Sequence, residues 1–317
     1  MDTADLYQLP SHHPLFEEFI LPIQGHAEFL LTRHGKIRAY SAGNSQKTLL
    51  VMPGYTEMIE KFAPFVQYFL KDYRVILFDP IGQAGSERMD VNSHKIHIDD
   101  FCVHQDVLHD VTKHYNCKFE DTILVGNSMG GHVVLDFVFQ NKGLRGFILL
   151  NPMLNFDTAP WPKQVAKTFA SWAKTIGWGH RYAPGKRDWR YEDAISTVSS
   201  LSGDPLRAEV HAQFEIAYPS LRSGGATFGW VDAAFRSCEK LQQTLREHTV
   251  KTSGLVLLSE KDRLVDPKQT LQLLKPHASI DIHLVKNAGH ELLMESDPVR
   301  ARLFHMMDKF LLNVAQN

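Results

Sequence analysis

Cysteine is scarce in this chain. Three occur in 317 residues (Cys102, Cys117 and Cys238), an odd number without a CxxC pair. A disulfide framework and a cysteine-based zinc site are thereby excluded as expectations, and a reducing compartment fits best. A surplus of charge is also missing: formal net charge is −2 with 22% charged residues. No global field draws such a chain to nucleic acid or to an anionic membrane surface, so no nucleic-acid partner is expected. No uninterrupted apolar run approaches the roughly 18 residues of a spanning helix. The opening MDTADLYQLPSHHPLFEEFILP has no basic stretch, apolar centre or small-residue cleavage site, and so does not read as a signal peptide. A cytoplasmic protein is expected, with any membrane contact peripheral and on the inner face. HExxH is absent as well: His290-Glu291 is followed by Leu-Leu-Met, so despite 17 histidines no metal is expected. Oligomeric state is left open.

What is present is a hydrophobic fraction of 44%, enough for a large core. AEFLLTRHGKIRAY reads as two strands turning at His34-Gly35. Then short apolar runs alternate with longer periodic segments: strands over 48–54, 74–80, 122–128 and 144–152, helices over 62–73, 97–115 and 132–141. The rhythm stops near Pro152 and resumes with a helix over 237–248, a strand over 254–262, a helix over 267–275, a strand over 279–290 and a helix over 297–312. Such alternation predicts an α/β fold with a mostly parallel central sheet and helices on both faces. The stretch from 153 to about 225 has helical pieces but no strand rhythm. It divides the chain into core (1–152), inserted cap or lid (153–225) and core again (226–317).

Gly126-Asn127-Ser128-Met129-Gly130 matches G-x-S-x-G between an apolar strand and an apolar helix. A serine there sits in a strained turn with its hydroxyl projecting from the sheet edge. A side chain at either flanking glycine would clash. The string alone is a weak signal; its strand–turn–helix setting is the stronger one.

A nucleophilic serine needs a base to take its proton and an acid to orient that base. Asp262 closes the strand GLVLLSEKD and His290 closes the next, in Asn287-Ala288-Gly289-His290, which puts both at the sheet edge bearing Ser128. Asp266 is a rival acid, but Asp262 follows its strand directly. Negative charge on a tetrahedral intermediate requires backbone N–H donors. Met129, after the nucleophile, and Tyr55, after Pro53-Gly54, are the candidates. Asp79, in DPIGQAGS, reads as a loop organiser.

Taken together, MPGYTE, DPIGQAGS, GNSMGG, SEKD and NAGHELLME resemble the monoacylglycerol lipase and lysophospholipase branch of the α/β-hydrolases, from about residue 45 to the C-terminus. Within it the chain is most similar to the bacterial lysophospholipases associated with the inner membrane. Gly224-Gly225-Ala226-Thr227-Phe228-Gly229-Trp230-Val231 resembles a cap stretch of that group. Pro53 stands where many relatives of the wider superfamily carry histidine, a departure the bacterial group shares. The resemblance implies hydrolysis of an acyl ester through an acyl-enzyme, without a cofactor. It leaves the head group open.

In the cap, Trp161, Val165, Phe169, Trp172 and Ile176 recur every three to four residues, with Lys163, Lys167 and Lys174 off that stripe. The stripe either packs the cap onto the core or faces an acyl channel or lipid interface. Arg181, Lys186, Arg187, Arg190, Arg207 and Arg222 form either a solvated face or a phosphate-recognising set. The leading expectation is hydrolysis of lysophospholipid or monoacylglycerol. A small-ester esterase, a thioesterase or an aminopeptidase on the same fold is the alternative within enzymes. A non-catalytic binding protein is the alternative outside them. An aspartate-nucleophile dehalogenase or epoxide hydrolase is disfavoured by serine at position 128.

Overall fold

A computed structural model describes residues 3–316, with backbone alone considered at 197–200. Its framework among the described residues is an eight-stranded sheet in the order β1-β2-β4-β3-β5-β6-β7-β8. The strands are β1 (His26–Thr32), β2 (Gly35–Ala42), β3 (Thr48–Met52), β4 (Arg74–Phe78), β5 (Thr122–Asn127), β6 (Gly146–Leu150), β7 (Gly254–Ser259) and β8 (Ile280–Val285). β1 and β2 form the expected hairpin, and β2 runs antiparallel to β4. From β4 to β8 every pairing is parallel.

The central strands are buried on both faces, and their side chains divide by twos. Leu49, Val51, Val75, Leu77, Val125, Ile148, Leu150, Leu255 and Leu257 feed one hydrophobic layer. Leu50, Met52, Ile76, Phe78, Leu124, Phe147, Leu149, Val256 and Leu258 feed the other. That explains why these strands read as continuous apolar runs rather than alternating ones. Helices α1 (Ala63–Phe69) and α9 (Asp297–Gln316) cover the first face through Phe65, Leu303 and Met307. Helices α2 (Cys102–His114), α3 (Met129–Gln140) and α7 (Phe228–Glu247) cover the second through Val107, Val133 and Ala233. Between β6 and α7 the chain runs through α4 (Lys163–Thr175), α5 (Tyr191–Leu201) and α6 (Pro205–Ala217) without adding a strand to the sheet. The last β–α–β unit carries α8 (Pro267–Leu274).

Two helix starts differ from the sequence reading. α2 begins five residues late because Asp100 takes the Cys102 N–H at 2.9 Å, while Ile96 upstream pairs with Ala226. α7 begins nine residues early: the Thr227 hydroxyl accepts the Trp230 N–H and caps it. The apolar stripe of α4 also departs from the packing reading. Trp161 is 52% exposed and Trp172 49%, with Val165, Phe169 and Ile176 exposed beside them. Ala170 and Ala173 are the buried residues of that helix, against Phe228 at the start of α7.

Candidate active site

The turn from β5 into α3 holds Ser128 at φ 50°, ψ −114°, a conformation that non-glycine residues rarely adopt. The surroundings enforce it. Ser128 N–H donates to the Leu150 carbonyl of β6 at 2.8 Å, and the Ser128 carbonyl accepts from Met153 at 2.9 Å. The flanking glycines are required by close approach. A Cβ on Gly126 would lie 2.6 Å from the Gly130 carbonyl oxygen, and one on Gly130 would lie 2.1 Å from the Met52 carbonyl oxygen. The strand–turn–helix reading of G-x-S-x-G is therefore met in steric detail.

The three residues remote in sequence come together. Ser128 Oγ lies 2.9 Å from His290 Nε2, and His290 Nδ1 lies 2.7 Å from Asp262 Oδ2. A carboxylate is an acceptor, so Nδ1 carries the ring proton and Nε2 is left to accept from the serine hydroxyl. The Asp262 side chain is fully buried, and its other oxygen accepts from the N–H groups of Leu264 and Val265. Asp262 sits three residues beyond the end of β7 and His290 five beyond β8, so both belong to loops rather than to strand ends. Asp266, the rival acid, caps α8 through the N–H groups of Lys268 and Gln269.

Met129 N–H is the first of α3 and has no partner carbonyl within the helix. Tyr55 follows β3 in the loop facing Ser128, with its ring against Trp230 at a centroid separation of 4.7 Å. That loop is tied down by a residue that the sequence reading passed over. Glu57 Oε2 accepts the Gly54 N–H at 2.6 Å and the Asn127 amide at 2.7 Å. Its other oxygen accepts from Lys61, which also donates to Glu291 beside the base. Burial pushes the Glu57 carboxyl up, but the Lys61 charge and the Asn127 and Gly54 hydrogen bonds outweigh it and hold it below the usual carboxylate range. For Lys61, burial opposes the charge while Glu291 and Glu57 favour it, and the balance raises its pKa.

Asn151, at the end of β6, was likewise unread. Its amide nitrogen donates to Ser259 Oγ and to the His290 carbonyl, each at 2.7 Å, and its oxygen accepts from Ser259 N–H. Asp79 is the loop organiser expected: it accepts from Ile59, Gly85 and the buried Arg38 guanidinium, which also pairs with Glu60.

Ser128 and His290 open onto a cleft of about 540 Å³. Tyr55 and Leu264 line it on the core side, and Lys186, Arg187, Trp189 and Arg190 on the side of the α4–α5 connection. The other arginines between β6 and α7 do not line the cleft and have partners of their own. Arg207 is paired with Glu18, Asp204 and Asp297, Arg222 stacks on Trp189, and Arg181 lies over Trp178.

Sheet order and elbow define the class: this is an enzyme fold of the α/β-hydrolase type, a hydrolase. The chain belongs to the family described as serine aminopeptidase, S33, which matches residues 43–297. The probable lysophospholipase L2 of Haemophilus influenzae is 25% identical over 306 residues, covering 94% of both chains. Lysophospholipase L2 of Escherichia coli K12 is 23% identical over 285 residues, covering 86% of this chain and 82% of that one. In three dimensions the chain is similar to a soluble variant of monoglyceride lipase from Saccharomyces cerevisiae, with a TM-score of 0.72 at 16% identity, over 92% of this chain and 96% of the other.

Proposed function

We propose that this hydrolase cleaves carboxylic esters of lipids, lysophospholipid or monoacylglycerol, through a Ser128 acyl-enzyme. The observation that carries the mechanism is the unbroken line from Asp262 through His290 to Ser128 at hydrogen-bond distances, opening on the cleft. His290 Nε2 takes the Ser128 proton as Oγ attacks the ester carbonyl, and Asp262 holds the tautomer and stabilises the imidazolium. The tetrahedral oxyanion is held by the N–H groups of Met129 and Tyr55. His290 then returns the proton to the departing alcohol, and water releases the acid by the same steps. This scheme draws on side chains and backbone of the chain alone and calls for no cofactor.

Lipid specificity is supported by the lysophospholipase relatives and by the exposed aromatic stripe of α4. Residues 153–225 serve as a cap over the cleft. The α4 stripe makes peripheral contact with the inner face of the cytoplasmic membrane, where such amphipathic surfaces bury aromatic side chains. Rates on lysophosphatidylcholine, on p-nitrophenyl acetate and on an aminoacyl anilide, with Ser128→Ala as blank, test the substrate class. Turnover of lysolipid that the variant abolishes is expected. Turnover confined to the acetate ester, or to the anilide as the family description suggests, overturns the lipid reading.

A further inference from the structure

The segment leading into α2 carries His97 and Asp99, and the connection after α4 carries His180. One ligand atom from each of the three lies within 4.8 Å of the others, and none of the three lines the hydrolytic cleft. From this set we infer a binding site for a divalent transition metal of the zinc class, formed by His97, Asp99 and His180.

In both rings a hydrogen bond engages Nδ1 and leaves Nε2 as the nitrogen turned toward the cluster. Thr227 Oγ1 accepts from Trp230 N–H at 3.3 Å, and lies 3.3 Å from the Ile96 carbonyl oxygen and 2.7 Å from His97 Nδ1. In the tautomer with the ring proton on Nδ1, His97 donates to Thr227 Oγ1 and Nε2 carries the lone pair. His97 is only 3% exposed, and its Nε2 has no hydrogen-bond partner. Leaving a buried nitrogen unmet costs free energy, and here, unlike at the equally unpartnered His104, two further ligand atoms stand within reach of the same space.

His180 repeats the pattern. Its Nδ1 lies 2.7 Å from Asp90 Oδ2, a nearly buried carboxylate that also accepts the Asn92 N–H. The carboxylate accepts the Nδ1–H bond, so in the neutral ring Nε2 is the atom that can ligate. An acceptor behind each ligating imidazole, setting its tautomer, is the arrangement that metal-binding histidines use. Asp99 presents Oδ2 at 3.7 Å from His97 Nε2, while its other oxygen faces Lys174.

Zinc sits about 2.0–2.1 Å from imidazole nitrogen, so its ligand atoms stand roughly 3.4 Å apart. The rings of His97 and His180 are stacked at 3.9 Å between centroids. Ligation therefore requires His180 to swing out of the stack and Asp99 to draw in. Both side chains are exposed and can move; the buried His97 is the fixed point. Two nitrogens and one carboxylate leave a coordination position for water, and imidazole with carboxylate suits zinc better than magnesium or calcium. A bound ion would fasten the connection before α5, which carries the cationic wall of the cleft, to the core.

Titration of the chelator-treated full-length protein with zinc chloride, followed by calorimetry, tests the assignment. Saturable binding of one equivalent is expected, accompanied by a rise in thermal unfolding temperature at excess zinc. His180→Ala and Asp99→Asn should each weaken it by roughly tenfold or more, and His283→Ala, a distant exposed histidine, should not. The exposed His180 carries the test because removing buried His97 can unfold the chain. Absence of saturable binding, or binding that His180→Ala and Asp99→Asn leave intact, overturns the site and leaves a stacked histidine pair in its place. Hydrolysis rates are not the readout, so failure here is distinguishable from failure of the triad.

Discussion

The side-chain amide of Asn151 donates to the main-chain carbonyl of His290 at 2.7 Å. The base of the proposed triad is thereby hung from the end of β6, next to the strand whose turn holds Ser128. Glu57 does the same for the opposite wall, joining the Gly54 loop to Asn127 of the elbow. The reacting side chains lie on loops, and these buried polar contacts give the loops the rigidity of the sheet.

The two candidate acids are separable by experiment. Asp262→Asn leaves the shape of the site but presents an amide to His290 Nδ1, favouring the wrong tautomer, and should lower kcat about 10⁴-fold. Asp266→Ala removes a helix cap and should cost about 1 kcal/mol of stability, with kcat retained. Steady-state kinetics and urea denaturation of the two variants distinguish these outcomes.

Glu57→Ala removes the shared partner of Gly54, Asn127 and Lys61 in a buried setting. A loss of about 3–5 kcal/mol in unfolding free energy is expected, as for other broken buried ion pairs. Chemical denaturation monitored by fluorescence gives the value. A change within experimental error would mean that Lys61 and Glu291 suffice to hold the loop.

Acid should weaken the fold through two buried histidines. Burial lowers the pKa of His104 and of His132 to about 4. Between the ordinary value of 6.5 and about 4 the unfolded chain binds protons that the folded chain refuses, so stability is present above that window and falls as pH drops through it. From about pH 7 to about pH 5 the loss is on the order of 2 kcal/mol for each. His104 has both ring nitrogens unpartnered, so His104→Leu should keep or raise stability at neutral pH and remove its half of the acid sensitivity. Denaturant midpoints at the two pH values, wild type against variant, measure it.

Much of this architecture is legible in the residues themselves. Buried parallel strands announce themselves as unbroken apolar runs, and the elbow does so because only glycine fits at 126 and 130. Ser128, Asp262 and His290 could be placed because each follows such a run. The polar groups that position them could not be. Glu57, Asn127, Asn151 and Lys61 are ordinary residues in sequence and acquire their roles only through partners up to 230 positions away. Periodicity located the α4 stripe but is silent on what covers it; the small residues Ala170 and Ala173, rather than the large ones, turned out to face the core. The gathering of His97, Asp99 and His180 was equally unreadable, since His180 comes from a segment that local spacing never joins to the other two.

The exposed stripe makes the use of an interface testable. Replacing Phe169 and Trp172 together by serine should leave hydrolysis of a soluble short ester unchanged, because neither residue lines the cleft. The same change should reduce vesicle binding and the rate on lysolipid presented in vesicles severalfold. Flotation and rate assays on the same preparations read both. Equal loss on soluble and vesicular substrates would point to a folding defect instead of a lost interface.

The proposed chemistry requires that the hydroxyl of residue 128 be the activated one. Reaction of the native protein with a fluorophosphonate, followed by intact mass and peptide mapping, should show a single adduct on Ser128, absent in Ser128→Ala and strongly slowed in His290→Ala. A native protein that takes no label, or an adduct that persists in Ser128→Ala, would contradict it.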